Sequence, residues 1–383
     1  MPRVPQIGKQ LIAAVALCAL QIIALAGPTA HNDEPIVLGM SAPMSGPNGA
    51  YGRQMREGVE AYFAKVNEGG GVRGHLLKLV ARDDGYEVDR AVANAKQLIT
   101  SDHAFALMAF YGSASSAAVL PLLDTYSIPL IGTISGAEML RDPPNPNIFH
   151  LRASYGDETA AIIRSLLTVG LKRIAVLYQD DAFGQAGLKG VKAALSQSKI
   201  ELVAAASVPR NSVALEPAVA EISKAKPQAI VLVALAQASA AFVKQMKPVS
   251  EQTYFIALSP VGTDQLIADL GKDMARGIQV AQVIPHPWSD RTKIAREYKQ
   301  TINHYAKGAE ISYYGLEGYI NAKLVTAALE RAAPTFTRDA LIKALRSGPF
   351  DLGGYQVNFP TGSNSGSHYV EISVIGADGR IMN

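Results

Sequence analysis

Cysteine is almost absent from this sequence of 383 residues. The single copy, Cys18, sits inside an N-terminal apolar run, so a chain without that run forms no intramolecular disulfide and no thiolate metal site. An excess of charge is missing as well, with 36 Lys and Arg against 33 Asp and Glu. Removing the first thirty residues takes away Arg3 and Lys9 and leaves 34 basic against 33 acidic side chains, which gives no bulk electrostatic case for nucleic acid or a membrane surface. No segment beyond the N-terminal run is continuously apolar over the roughly 20 residues that span a bilayer. His31, His75, His103, His150, His286, His304 and His368 show no i, i+4 pairing and have no partner cysteine, so a zinc site lacks support.

What is present starts at the N-terminus. Arg3 and Lys9 precede an apolar run from Leu11 to Ala26 that ends in Ala24-Leu25-Ala26, the tripartite form of a secretory signal. Residues 1–30 are expected to be removed, with cleavage after Ala26 or Ala30, and the mature chain to work outside the cytoplasm. About 353 residues then remain, more than one hydrophobic core accommodates and enough for two domains.

Apolar strand-like runs then alternate with helix-period segments. Ile36 to Ala42, Leu76 to Ala81, Phe105 to Phe110 and Ile128 to Ile131 read as strands. Met55, Val59, Tyr62, Phe63 and Val66 share one face of a helix, as do Val88, Ala91, Val92, Ala95, Leu98 and Ile99. After the Pro-rich stretch Asp142 to Asn147 the series restarts, with strands over Ile174 to Tyr178, Leu202 to Val208, Ile230 to Leu235, Tyr254 to Leu258 and Ile278 to Ile284. Helical patterns follow over Ile294 to Ala306, Tyr314 to Ala332 and Arg338 to Leu345, and a Gly-rich, strand-like tail runs from Gly353 to Ile381. Continuous apolar strands interleaved with helices indicate parallel sheets covered on both faces. The expected fold is therefore α/β, with two doubly wound parallel-sheet lobes, the Pro-rich stretch reading as the approach to a first crossing between them and Pro285-His286-Pro287 as the approach to a second.

Enzyme motifs fail on context. Gly69-Gly70-Gly71-Val72-Arg73-Gly74 fits the dinucleotide spacing but follows a helix and precedes a strand, the reverse of what that motif requires. Gly132-Thr133-Ile134-Ser135-Gly136 lacks the spacing of a nucleophile elbow. With no nucleophile, base or metal constellation, neither an enzyme nor a cofactor is expected. In doubly wound sheets ligands bind beyond the C-terminal strand ends, where helix N-termini present free N–H groups to an anionic group. Here Phe110 leads into Tyr111-Gly112-Ser113-Ala114-Ser115, and Ile131 into Thr133-Ile134-Ser135-Gly136. For Ser113, Ser115 and Ser135 ordinary helix capping is the competing reading; for Phe183 and Tyr314 it is core packing.

The segment Gly39-Met40-Ser41-Ala42-Pro43-Met44-Ser45-Gly46-Pro47, with Tyr51-Gly52, Gly58, Val66-Asn67-Glu68-Gly69-Gly70-Gly71-Val72-Arg73-Gly74 and Asp83-Asp84, resembles the Leu/Ile/Val-binding family of periplasmic solute-binding proteins. Gly112-Ser113, Pro129, Arg152-Ala153-Ser154, Lys172 to Leu177 and Phe183-Gly184 extend the likeness. The resemblance implies two lobes joined by three hinge crossings. It also implies a small-molecule ligand in the cleft, a periplasmic location, and delivery of the ligand by a monomer to an ABC transporter permease. A ligand-binding subunit of a sensory system is the alternative. By the same resemblance, carboxylate-holding positions fall at Tyr111, Gly112, Ser113, Ile134, and Ser135 or Gly136, and an aromatic wall at Tyr51. Phe183, Leu235 or Ala236, and Ser259 line the cleft from the second lobe, and Tyr314 from the first. Amino-acid binders of the family place an acid near Ser259 to pair with the ligand ammonium. Here either Asp180, Asp181 or Asp264 substitutes, or the ligand is a small carboxylate or amide without an ammonium group.

Overall fold

A computed structural model describes residues 34–250 and 252–382, so the expected signal segment and Cys18 lie outside the described residues. The first sheet contains β1 (Ile36–Ala42), β2 (Leu77–Asp83), β3 (Ala106–Met108), β4 (Leu130–Ile131) and β5 (Ile148–Phe149). Between these strands run α1 (Gly49–Glu68), α2 (Val88–Thr100) and α3 (Ser113–Tyr126). The second sheet begins after α4 (Tyr155–Thr168) with β6 (Ile174–Asp180), β7 (Ala204–Pro209), β8 (Ala229–Val233), β9 (Tyr254–Ala257) and β10 (Gln279–Gln282). Its connections carry α5 (Ala182–Gln197), α6 (Glu216–Lys224), α7 (Ala236–Met246), α8 (Thr263–Leu270) and the single turn α9 (Lys272–Ala275). The chain then forms α10 (Lys293–Tyr305), α11 (Tyr313–Ala332), α12 (Arg338–Arg346) and a small ribbon of β11 (Phe350–Asp351) and β12 (Gln356–Val357). It ends with β13 (Glu371–Ile375) and β14 (Ile381–Met382), which extend the second sheet antiparallel.

The first sheet has the order β2-β1-β3-β4-β5 and the parallel part of the second the order β7-β6-β8-β9-β10, the same winding used twice. The two-lobed α/β architecture read from the sequence is the one observed. β8 is buried along its whole length and β1 almost so, because helices cover both faces, and this is why the strands read as unbroken apolar runs. β5 was not anticipated, being two residues long and directly downstream of the Pro-rich stretch. The two sheets share an order that reverses between β1 and β3, and between β6 and β8, and a doubly wound sheet opens its crevice at such a reversal.

Although late in sequence, α10 to α12 pack with the first sheet. α11 crosses α1 at backbone distance: a Cβ on Gly58 would stand 2.0 Å from the carbonyl oxygen of Gly315, and one on Gly318 2.2 Å from that of Met55. Arg338 of α12 donates to the carbonyls of Phe105, Tyr126 and Ala104. The passages between sheets are tied together by one side chain, since the Tyr355 hydroxyl reaches the carbonyls of both Leu151 (2.9 Å) and Val283 (3.1 Å). Between these passages, the segment from Phe350 to Ser365 contacts the first sheet's side. Phe359 packs edge-on against Phe149, Gly353 accepts the N–H of Ile294, and Asn364 accepts that of His150.

Gly58→Ala should lower unfolding free energy by about 3 kcal/mol, the upper end of the cost of overpacking, because the atom it meets is backbone and cannot swing aside. Urea denaturation of the purified protein measures this, and an unchanged midpoint would mean that the helices separate freely.

Candidate functional site

The loops after β1, β3 and β4 face those after β6, β8 and β9, and between them three tyrosines of the first lobe meet the second. The Tyr51 ring stacks on Tyr111 with centroids 5.5 Å apart and tilts against Tyr314 at 4.9 Å. Their hydroxyls reach across the cleft to one loop: Tyr51 donates to the Val261 carbonyl at 2.9 Å, and Tyr314 to that of Pro260 at 3.1 Å. Tyr111 lies 3.0 Å from the Tyr314 hydroxyl, and the Ala236 N–H donates to Tyr51. Gly262 makes the approach possible. Its φ of +71° turns the loop, and a Cβ there would lie 2.5 Å from the Tyr51 ring.

Behind this contact Arg152 is buried at 2 % exposure, with its Nε 3.2 Å from a carboxylate oxygen of Glu317 on α11. Its Nη2 donates to the Ser259 hydroxyl, which in turn donates to Glu158 of α4; the Ser259 N–H donates to the other Glu158 oxygen at 2.7 Å. The first crossing, α11, α4 and the loop at Ser259 thus share one ionic cluster. Burial pushes the Glu158 carboxyl up to about 7 against the pull of Arg152, and raises Glu317 as well.

A cavity of about 20 Å³, room for roughly one water, remains at this junction, lined among others by Tyr51, Arg152, Ser259, Asp264, Tyr314 and Glu317. Of the residues expected in the cleft, it brings Tyr51, Ser259 and Tyr314 to one surface, with Tyr111 and Ala236 bonded or packed to them. Gly112, Ser113, Ile134, Ser135 and Gly136 do not line this cavity and bond to one another and to their neighbours. The Ile134 N–H donates to Phe110, that of Gly112 to Ile134, and Gly136 accepts the N–H of Tyr155. Ser113 and Ser135 pair with each other at 2.7 Å, and Ser135 accepts the N–H of Ala137. Capping does not occupy Ser113 or Ser115: the N-cap of α3 is Gly112, with no side-chain cap, and the buried Ser115 hydroxyl has no hydrogen-bond partner. Phe183 packs against the Tyr155 ring at 5.3 Å.

Of the three acids weighed as a substitute near Ser259, Asp180 is exposed and Asp181 caps α5 while pairing with Arg210 at 2.6 Å. Asp264 lines the cavity. The sequence reading missed Glu158 and Glu317. Their signal was a carboxylate on a face otherwise apolar at helical spacing, with Tyr155, Thr159, Ile162 and Leu166 beside Glu158.

A latch closes the far edge. The Arg210 guanidinium lies 3.6 Å from the centre of the Tyr86 ring and donates to the Tyr86 carbonyl; Asn211 donates to Glu87 and accepts from Asn48.

A periplasmic binding protein model matches residues 35–380. The chain belongs to that family. An amino acid binding protein of Pseudomonas aeruginosa is 23 % identical over 320 residues, covering 82 % of this chain and 84 % of the relative. The crystal structure of a substrate-binding periplasmic protein from Ralstonia solanacearum superposes with a TM-score of 0.85 at 34 % identity, over 91 % of this chain and 99 % of that one. That of a possible leucine/isoleucine/valine-binding protein from Rhodopirellula baltica gives 0.87 at 29 %, over 94 % and 98 %. The family is one of periplasmic substrate-binding proteins and not of enzymes. Its members that serve ABC transporters bind small molecules and partner with permeases.

Two outcomes follow from this geometry. Burial pushes Asp84 up to about 6 and both Glu158 and Asp264 up to about 7, so between about pH 4 and 7 these groups bind more protons in the folded chain than in the unfolded one. Their contribution to stability falls as pH rises through that window. Two groups act in the opposite sense: Asp83, held down to about 2 by Ser45, Met44 and Gly85, only below about pH 4, and His150, whose burial lowers its imidazole well below the usual value, below about pH 6.5, one imidazole against three carboxyls. The denaturation midpoint should therefore be higher near pH 5.5 than near pH 7.5, with Glu158→Gln flattening the difference. Second, Arg210→Ala removes charge-assisted bonds of roughly 1.5–3 kcal/mol each and should open the ligand-free molecule; an unchanged radius of gyration by small-angle scattering would show that the latch does not set closure.

Proposed function

We propose that this chain is the substrate-binding component of an ABC transporter and closes on an amino acid, or a related small carboxylate or amide, between its two lobes. In this reading residues 1–30 are a signal segment cleaved after Ala26 or Ala30, and the mature protein is a periplasmic monomer with no nucleic-acid partner. The observation that carries the proposal is the cavity at the junction of two doubly wound sheets, where tyrosine hydroxyls of one lobe bond to loop carbonyls of the other. Those bonds are neutral and exchangeable, each worth roughly 0.5–1.5 kcal/mol, so a ligand replaces them as the lobes part and close again. The binding surface in this proposal comprises Tyr51, Tyr111 and Tyr314 as aromatic wall, Gly112, Ser113, Ser115, Ile134, Ser135 and Gly136 beside it, and Phe183, Ala236 and Ser259 opposite.

The lobes are read as residues 31–152 with 285–347, and 153–284 with 348–383. The contacts of Phe350 to Ser365 with His150, Phe149 and Ile294 favour placing the last crossing nearer Gly366 than residue 347. The names of the relatives support an amino acid as ligand, as an amino acid binding protein and a possible leucine/isoleucine/valine-binding protein are among them.

A thermal-shift screen of the mature protein, refolded to strip carried-over ligand, tests the reading with amino acids, small carboxylates and amides. At a hundred times its dissociation constant a ligand adds about 2.7 kcal/mol, a rise of several degrees at roughly 2–4 °C per kcal/mol. No rise with any compound of the three classes would overturn the proposal.

A further inference from the structure

Away from the cleft, residues 285–292, just after β10, and residues 369–371, at the start of β13, enclose a second concave site. Its volume of about 360 Å³ is within the range of small-molecule pockets. The walls are aromatic. Trp288, the only tryptophan of the sequence, stays 38 % exposed although the rings of His286 and Tyr313 pack edge-on against it at 5.3 and 5.6 Å. Tyr369 is 36 % exposed, and its hydroxyl donates to the Glu371 carboxylate at 2.5 Å. Among the described residues no lysine or arginine pairs with Glu371. Nε2 of His286 lies 3.0 Å from the Ile381 carbonyl, which can only accept, so the proton sits on that nitrogen. The buried Nδ1 is then an acceptor, and it has no hydrogen-bond partner among the described residues. Arg291 is the basic residue of the lining; it is exposed and makes no ion pair.

We infer that this pocket is a second binding site, separate from the cleft, for a small alkylated ammonium that also carries a hydroxyl or N–H donor. The rings of Trp288 and Tyr369 offer the π faces that attract such a cation, Glu371 is its counter-ion, and Nδ1 of His286 accepts from its donor. Alkyl groups spread the charge and shed water more readily than a bare ammonium, which suits a pocket with aromatic walls and one carboxylate. The walls belong to chain that runs between the two sheets, and Tyr313, packed on Trp288, also lines the cleft cavity. An occupant here therefore bears on the hinge and leaves the cleft free for its own ligand.

A single tryptophan at the site makes its emission a direct readout. Choline is titrated into the mature protein against 3,3-dimethylbutan-1-ol, which has the same shape and hydroxyl without the charge. Choline is expected to change the Trp288 emission saturably in the millimolar range, and the alcohol to bind about ten times more weakly or not at all. Glu371→Gln should weaken choline about tenfold and leave the alcohol unchanged, a loss confined to the charged probe that general disruption of the pocket would not produce. Arg291→Ala should tighten choline by removing a like charge. If Glu371→Gln does not fold, the wild-type pair and Trp288→Leu, followed by calorimetry, decide, with choline binding lost in the variant. No saturable response to choline, an equal response to the alcohol, or choline binding indifferent to these substitutions would overturn the inference; the substrate-binding reading of the cleft stands under any of these results.

Discussion

The buried guanidinium of Arg152 is the interaction on which the two lobes agree. A charge out of water is tolerated only when it is paired and hydrogen-bonded, and removing one partner of such a pair costs about 3–5 kcal/mol. Here the partners come from separate places: Glu317 from α11 of the first lobe, and Ser259 with Glu158 from the second. Arg152 itself stands on the first crossing, where its carbonyl accepts from Arg141. The hinge therefore has an electrostatic reason to keep its arrangement, and the loop Ser259 to Gly262 has a fixed footing. The tyrosines can meet that loop only because the cluster behind it holds it still.

Against that fixed centre, the cleft contacts are of a different strength. Tyrosine hydroxyls bonding to carbonyls are neutral and sit next to the cavity, while the latch of Arg210 on Tyr86 lies at the rim and carries charge. The molecule thus combines a rigid ionic pivot, a charged rim and a soft middle. In such a distribution the neutral contacts of the middle are the weakest, and the Arg152 cluster and the Tyr355 bonds to Leu151 and Val283 hold the crossings together.

How much of this was legible before any coordinates existed depends on the range of the interactions. Strands such as Ile36–Ala42 and Ile174–Asp180 were readable because burial on both faces writes itself as a local apolar run. The position of Tyr111 was readable because it lies just past the end of β3, where doubly wound sheets open, while Ala236 was placed by the family resemblance. β5 was too short to show a pattern. The Arg152 cluster was out of reach for another reason: its members lie at 152, 158, 259 and 317, and nothing in the chain says that they meet. The serines were ambiguous in kind, because a hydroxyl before a helix reads as a cap whether or not it caps. Only coordinates show Ser113 turned toward Ser135.

The backbone contact of α1 with α11 also fixes an order of assembly. The apolar face of α1 has its partner some 250 residues further on, so the first lobe has no complete core until residues 313–332 exist. By contrast β6 to β10 and their helices are contiguous from 174 to 282 and hold the parallel part of their sheet by themselves. Closing a long loop before its contacts reward it is slow. A chain made from its N-terminus therefore completes its middle first, and the half that began earliest is finished nearly last.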